Sequence, residues 1–293
     1  MNRNINIKNI LLVAKSEYIR WLINPKIILL AVVFLPLRDM IVLPMLRASE
    51  QMESPLNLLE TSIATVNSWM GLLLLTLSYM LLISSFPTTD GNTLFYIARM
   101  GRRNWILGEM LFQLMSAVTY SLITTVVTIV QTAHSSFFAN GWSLVVTDYD
   151  EIYKDAEMGT HMASYLPSNL FFQMTPFKAY LLSFGLLTLL LMFCGMLFLT
   201  GCLYGKRLLF FFIQVVHVCV GCGFILLGNW GMWFFPVNQS LLRLHFHMYF
   251  REYVFAPWLS VILFIAVILI IGIIMYRKAK IVSMDMIGGE ILS

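Results

Sequence analysis

The chain has 293 residues, 59% hydrophobic and 12% charged, with a mean hydropathy of +0.80. Ordinary soluble domains carry about a quarter charged residues, so this composition excludes a soluble enzyme or binding module. The formal net charge of +4 describes membrane topology rather than nucleic-acid binding, because its Lys and Arg residues fall unevenly along the chain.

Residues 7–22 come first. Ile7, Ile10, Leu11, Ala14, Tyr18, Trp21 and Leu22 fall on one helical face, with Lys8, Lys15, Glu17 and Arg20 away from it. Pro25 then ends this helix. A basic amphipathic helix with Tyr and Trp at its water boundary lies at a membrane interface. It serves either as an anchor or as an elbow that also touches a cytosolic partner through Lys15 and Arg20. No small-residue cleavage site follows the first apolar run, so a signal peptide is not expected.

Six apolar runs of about 20 residues match the hydrocarbon thickness of a bilayer: Ile27–Leu46, Ile63–Ser85, Ile106–Val130, Ala179–Leu203, Leu208–Leu227 and Pro257–Tyr276. The fold class is therefore an all-α integral membrane protein with six transmembrane helices in one domain. With both termini inside, 13 Lys and Arg residues lie in inner segments and 5 in outer ones, Arg38 being within the first span. That bias sets an N-in, C-in orientation. Asp148, Asp150, Glu151, Asp155 and Glu157 lean the other way, into an outer loop over 131–178. A loop that long is expected to fold into a small external cap.

Ionisable groups at membrane depth are functional candidates. The first span holds Arg38 and Asp39 between Pro36 and Pro44. They serve a pore or substrate role, or else structural pairing or snorkelling. The later spans offer Gln113, Gln214 and His217 as path candidates, with Glu109 one turn into the third span. Apart from Asp39 there is no mid-span carboxylate of the kind that ion-driven transporters use.

The segment 86–105 reads FPTTDGNTLFYIARMGRRNW and carries Arg99, Arg102 and Arg103. Asn92 suits the cap of a helix over Thr93–Met100, and Gly101 suits the left-handed residue that closes it. Such a knob exposes Asp90, Leu94, Phe95 and Tyr96 at the cytosolic surface, and Trp105 marks the return to the membrane. Further on, residues 229–258 are rich in aromatics, with Arg243, His247 and Arg251 at intervals of four. This spacing predicts one polar stripe on an interfacial or re-entrant helix, facing headgroups or an exit path. Residues 277–293 form a cytosolic tail.

No phosphate-binding P-loop, HExxH or GxSxG pattern occurs. The four cysteines lie within the fourth and fifth runs, and His217-Val-Cys219-Val-Gly-Cys222 reads as small residues at helix contacts rather than as a metal site. Neither a catalytic group nor a metal is expected.

The order of elements resembles the permease subunits of ABC-2 type (type V) ABC exporters. It comprises an amphipathic helix, six spans, a basic knob reading Ala98-Arg99-Met100-Gly101-Arg102-Arg103-Asn104-Trp105, and an amphipathic segment before the last span. The likeness is one of architecture and covers nearly the whole chain; the long acidic loop after the third span departs from it. The resemblance implies that Asp90–Arg103 is a coupling helix seated in a separate ATPase, present as two copies that bind the ATP and Mg, and that Lys8–Arg20 is the connecting helix beside it. It also implies a second permease copy, identical or related, with the path between the two, in a bacterial plasma membrane. The Met-rich, aromatic spans suit an amphipathic peptide such as a toxin, bacteriocin or lantibiotic, with small hydrophobic drugs or lipids as the alternative. A passive channel, the anchor of a sensor complex and a membrane-embedded enzyme are the readings from other classes.

Overall fold

A computed structural model describes residues 5–88, 97–154, 161–247, 250 and 252–279. Five helical stretches are long and apolar enough to cross a bilayer: Pro25–Gln51, Arg102–Ser135, Pro176–Leu203, Arg207–Leu227 and Pro257–Lys278. Each contains or closely covers one of the expected runs. The remaining run, Ile63–Ser85, is broken into two helices that meet at a 79° bend, and counting that pair as one crossing gives six. The protein is an all-helical, multi-pass membrane protein. Its described strands are two residues each, β1 (Leu56–Asn57) and β2 (Ser136–Phe137), paired in parallel.

The helices are α1 (Ile7–Ile23), α2 (Ile28–Leu37), α3 (Leu43–Gln51), α4 (Glu60–Asn67), α5 (Trp69–Ile83), α6 (Arg102–Thr132), α7 (Leu144–Ile152), α8 (Ser168–Phe171), α9 (Pro176–Leu203), α10 (Arg207–Leu227), α11 (Pro236–Gln239) and α12 (Pro257–Lys278). Helix starts follow local chemistry. Asn6 caps α1 through its side chain, while Pro176 and Pro257 open α9 and α12, where the fixed φ of proline fits and no N–H is missed. Between α2 and α3 the first span widens into a π turn, Arg38–Val42. Pro44 has no N–H to offer and its ring crowds the carbonyl a turn earlier, which the wider turn accommodates.

Helix α9 is the hub, packed against α4, α5, α6, α10 and α12. It is more buried than α10 and α12, so α9 is core and those two helices turn most of their surface outward. The bend lies at the heart of the molecule. All eight residues of α4 are buried, and Ser68 caps α5 by accepting from the Gly71 N–H at 3.4 Å. A Cβ on Gly71 would stand 2.2 Å from the Thr65 carbonyl oxygen, so only glycine lets the two helices approach this closely. Asn67 ties the bend outward, donating to the Ile63 carbonyl and to Ser183 Oγ while accepting from the Arg243 N–H.

Helix α1 differs from its expected face. Val13, Ala14, Glu17 and Trp21 are buried, whereas Ile7 and Leu11 are exposed. Glu17, expected on the polar side, points inward. The cause is the fit of α1 lengthwise along α6. Asn6 N–H donates to Asn104 Oδ1, Val13 sits over Gly108 (where a Cβ would lie 2.6 Å away), and Tyr18 shares a hydrogen with Thr119 Oγ1 at 2.7 Å.

Within the segment 131–178, α7 packs against α3 and β1. Glu60 accepts from Asn57 N–H, Ser143 N–H and Ser143 Oγ. Tyr149 and Tyr153 hydroxyls donate to Gln51 at the end of the first span. Asp150 accepts from Met162 and Ala163 N–H, so this part of the acidic centre is spent on local structure. Asp155 and Glu157 lie outside the described residues.

Gly71→Ala is expected to lower stability by about 1–3 kcal/mol, the range for overpacking a filled contact. Gly185→Ala, whose Cβ meets nothing within 4 Å, is expected to leave it unchanged or raised. Thermal unfolding of the two variants in one detergent checks this; equal midpoints would refute the tight bend.

Candidate functional site

The basic end of the bundle gathers α1, the start of α6 and the ends of α9 and α12. Residues 97–100 are helical, and Gly101 follows at φ 89° and ψ 145°. That positive φ is the conformation anticipated for Gly101, although its ψ is extended rather than left-handed helical. Its N–H donates to Ile97 O and its carbonyl accepts from Trp105 N–H, so one glycine closes a helical turn and opens α6. Asp90, Asn92, Leu94, Phe95 and Tyr96 lie outside the described residues.

Ile97, Met100, Trp105 and Ile106 are buried in a cluster with Val13, Met196, Leu199, Leu203, Ile268 and Met275. The 97–106 segment is thus bedded on α1, α9 and α12 at once. Trp105, expected at the water boundary, is 4% exposed and serves as part of this bed. Arg99 points outward and Arg102 is half-exposed; Arg103 lies over the Tyr276 ring at 5.7 Å. Lys15 is exposed, and Arg20 is half-buried beside Glu17 at 3.3 Å and Thr88 at 2.6 Å. The turn leading into the segment is pinned by two cations. Lys26 donates to Ser84 Oγ and Ser85 Oγ, and Arg207 donates to the carbonyls of Ser84 and Phe86.

Within the spans the polar candidates separate. Gln113 is fully buried on α6 and faces Gly195 of α9, where a Cβ would fall 2.3 Å from its Oε1. Glu109, one turn earlier, is equally buried, with Glu17, Arg20 and the Trp105 indole within electrostatic reach. Gln214 and His217 of α10 do come together. They line a cavity of about 70 Å³ against Leu190, Phe193, Cys194 and Val237, room for about two waters at ~30 Å³ each. Both amide atoms of Gln214 and Nε2 of His217 find no hydrogen-bond partner among the described residues. The cavity therefore offers donors and an acceptor inside apolar walls.

Arg38 and Asp39 stand apart from this cavity. Both are exposed on the flank of the π turn, and neither joins an ion pair or side-chain hydrogen bond among the described residues. They sit thirteen residues from the Pro25 end and about as far from Gln51, roughly 20 Å each way at 1.5 Å per residue. This is the middle of the helix rather than a position toward one face. A lone Arg or Asp there costs about 2.5–3.5 kcal/mol on insertion scales, and snorkelling serves residues near helix ends.

At the cap end Arg243 and His247 do not share the helix that their spacing predicts. Residues 230–234, 236–239 and 242–245 are separate short helical turns, followed by an isolated bridge between Phe246 and Tyr253. Arg243 and His247 share no helix, and Arg251 lies outside the described residues. Side chains outcompete a continuous ladder here. Asn238 donates to the Gly221 and Met232 carbonyls, Gln239 to Trp233 O, and Asn169 to Arg243 O and Phe246 O.

The decisive histidine is His245, which carries no periodic signal in the sequence. It is fully buried, with Nδ1 2.7 Å from Phe255 O and Nε2 2.9 Å from Gln239 O, and it lies edge-on to Trp233 and tilted to Phe255, two rings that stack on each other. Burial pulls its pKa below the ordinary value, outweighing the two carbonyls that favour the charged ring.

Among the described residues no three His, Cys, Asp or Glu side chains converge as metal ligands. Cys219 is exposed, while Cys222 is buried with its sulfur 4.0 Å from Trp69 O. No family model, curated protein or solved structure matches the chain.

With its pKa lowered by burial, His245 binds a proton less readily in the folded segment than once the segment opens. Its contribution is complete above about pH 6.5, the ordinary value, and declines as pH falls below it. Hydrogen exchange in residues 241–247, corrected for intrinsic rates, is expected to accelerate between pH 7.5 and 5.5. Constant protection across that interval would refute the assignment.

Proposed function

We propose that the chain is the membrane-spanning permease subunit of an ATP-driven exporter of the ABC-2 type. A separate ATPase subunit, in two copies, binds the ATP and Mg, and two permease copies enclose the path. The observation that carries this reading is the basic segment 97–106, which runs into α6 and is bedded on α1, α9 and α12. Arg99 faces outward from that bed. A push on this segment is delivered to four helices together, because close-packed interiors transmit displacement rather than absorb it. The chain itself has no phosphate-binding loop, so the energy enters from a partner.

The basic end is assigned to the cytoplasm by the excess of Lys and Arg in its segments, placing both termini inside a bacterial plasma membrane. Nucleotide-driven closure of the ATPase pair moves the two basic segments, and the half-transporters rock between inward- and outward-facing states. The two states must differ in their contacts with the partner for this to happen.

The favoured cargo is an amphipathic peptide, exported as a product or removed as an immunity function. Small hydrophobic drugs or lipids are the second reading. The cap end supplies the exit, where Asn67 at the end of α4 accepts the Arg243 N–H.

Arg99→Glu/Arg102→Glu is expected to weaken binding of the cognate ATPase about tenfold or more, equivalent to about 1.4 kcal/mol. Transport-linked ATP hydrolysis should fall with it, while the permease stays folded. Binding measured in nanodiscs checks this. A double variant that binds and couples as the parent does would overturn the docking role.

A further inference from the structure

The exposed charges at the centre of the first span have no ion-pair or side-chain hydrogen-bond partner among the described residues. Ile28, Val32 and Leu35 are exposed on α2 at helical spacing, together with Ala31. Arg38 and Asp39 continue that stripe on the π turn. The stripe is otherwise apolar, and the small Ala31 permits close approach of another helix. π turns of this kind recur at functional positions.

We propose that this stripe is the seam between two copies of the chain, and that Arg38 of each copy pairs with Asp39 of the other. The argument is one of depth. Two copies inserted in the same orientation are related by a two-fold axis along the membrane normal, which leaves every residue at its own depth. A pair across such a seam must therefore join residues at nearly equal depth. Arg38 and Asp39 differ by one residue, about 1.5 Å of rise.

The contact is also self-complementary. A base and an acid on one copy meet an acid and a base on the other, so four charges are neutralised as two reciprocal pairs. Adjacent positions on one helix point in different directions, which favours pairing between copies over pairing within one. A like-charged or purely apolar partner would leave one of the two charges facing hydrocarbon. The proposal deepens the exporter reading, which already asks for two copies, by naming where they meet.

The test uses the full chain in lipid nanodiscs or liposomes, with oligomeric state counted by single-molecule photobleaching. Arg38→Asp gives a chain with two acids at the seam, and Asp39→Arg one with two bases. Each alone is expected to lose dimers at least tenfold relative to the parent. The two variants mixed before reconstitution are expected to pair with each other, as is the double exchange Arg38→Asp/Asp39→Arg with itself.

If the charge variants fail to fold, Leu35→Cys in the otherwise unchanged chain reads the same seam. It should form a disulfide-linked dimer, and Leu269→Cys on the exposed face of α12 should not. A monomeric parent, a mixture that does not pair, or equal cross-linking at the two cysteines overturns the seam. A second, different protein captured at Leu35→Cys in place of another copy overturns it too. ATPase docking reads the opposite, basic surface. A dimer that binds no ATPase therefore removes the exporter reading and keeps the seam, and a docked chain that dimerises elsewhere does the reverse.

Discussion

In hydrocarbon every backbone N–H and C=O must find its partner within the protein, and the architecture turns on how this chain meets that demand where it leaves the helix. The long helices satisfy it automatically. The bend at Ser68 and the segment 229–256 do not, and there side-chain amides and one imidazole take over. Asn67 secures the bend, while Asn238, Gln239, Asn169 and His245 secure the segment. Each satisfies carbonyls that helix geometry would otherwise pair. Two of these systems touch, because Asn67 accepts the Arg243 N–H, so the broken span and the aromatic segment form one unit.

That unit and the basic end are joined by α9. It contacts α4 near one end of the bundle and contributes Met196, Leu199 and Leu203 to the bed beneath residues 97–106 at the other. A helix buried on most sides has little freedom to bend or rotate alone. The outward-turned helices α10 and α12 and the stripe on α2 are the surfaces left for lipid or for a partner. Their difference is chemical: α2 runs into Arg38 and Asp39, whereas α12 is apolar until its terminal Arg277 and Lys278.

Much of the site was legible and some was not, for identifiable reasons. Arg38 and Asp39 stand out because charge inside an apolar run is rare, but their exposure depends on which side of α2 the rest of the bundle covers. Gln214 and His217 are separated by one turn, and their common cavity exists only because α9 and Val237 close it. Glu17 looks like a surface residue by periodicity, yet the fit of Val13 into the notch at Gly108 rotates α1 and turns Glu17 inward. Arg243 and His247 keep a helical spacing, yet the turn that holds Arg243 ends at His245. His245 lies off that period and is the residue that organises the turn.

By itself the sequence determined the membrane class, the places of the apolar runs, the basic bias of one end and the positive φ of the glycine before α6. These follow from composition and local periodicity, since hydrocarbon thickness and backbone satisfaction leave a short, apolar run few alternatives. Tertiary structure alone decided the break at Ser68, the burial of α4, the rotation of α1, the bed beneath residues 97–106 and the outward face of Arg38 and Asp39. Each of these depends on contacts between segments far apart in the chain. Apolar residues all round a helix do not say which side faces protein and which faces lipid.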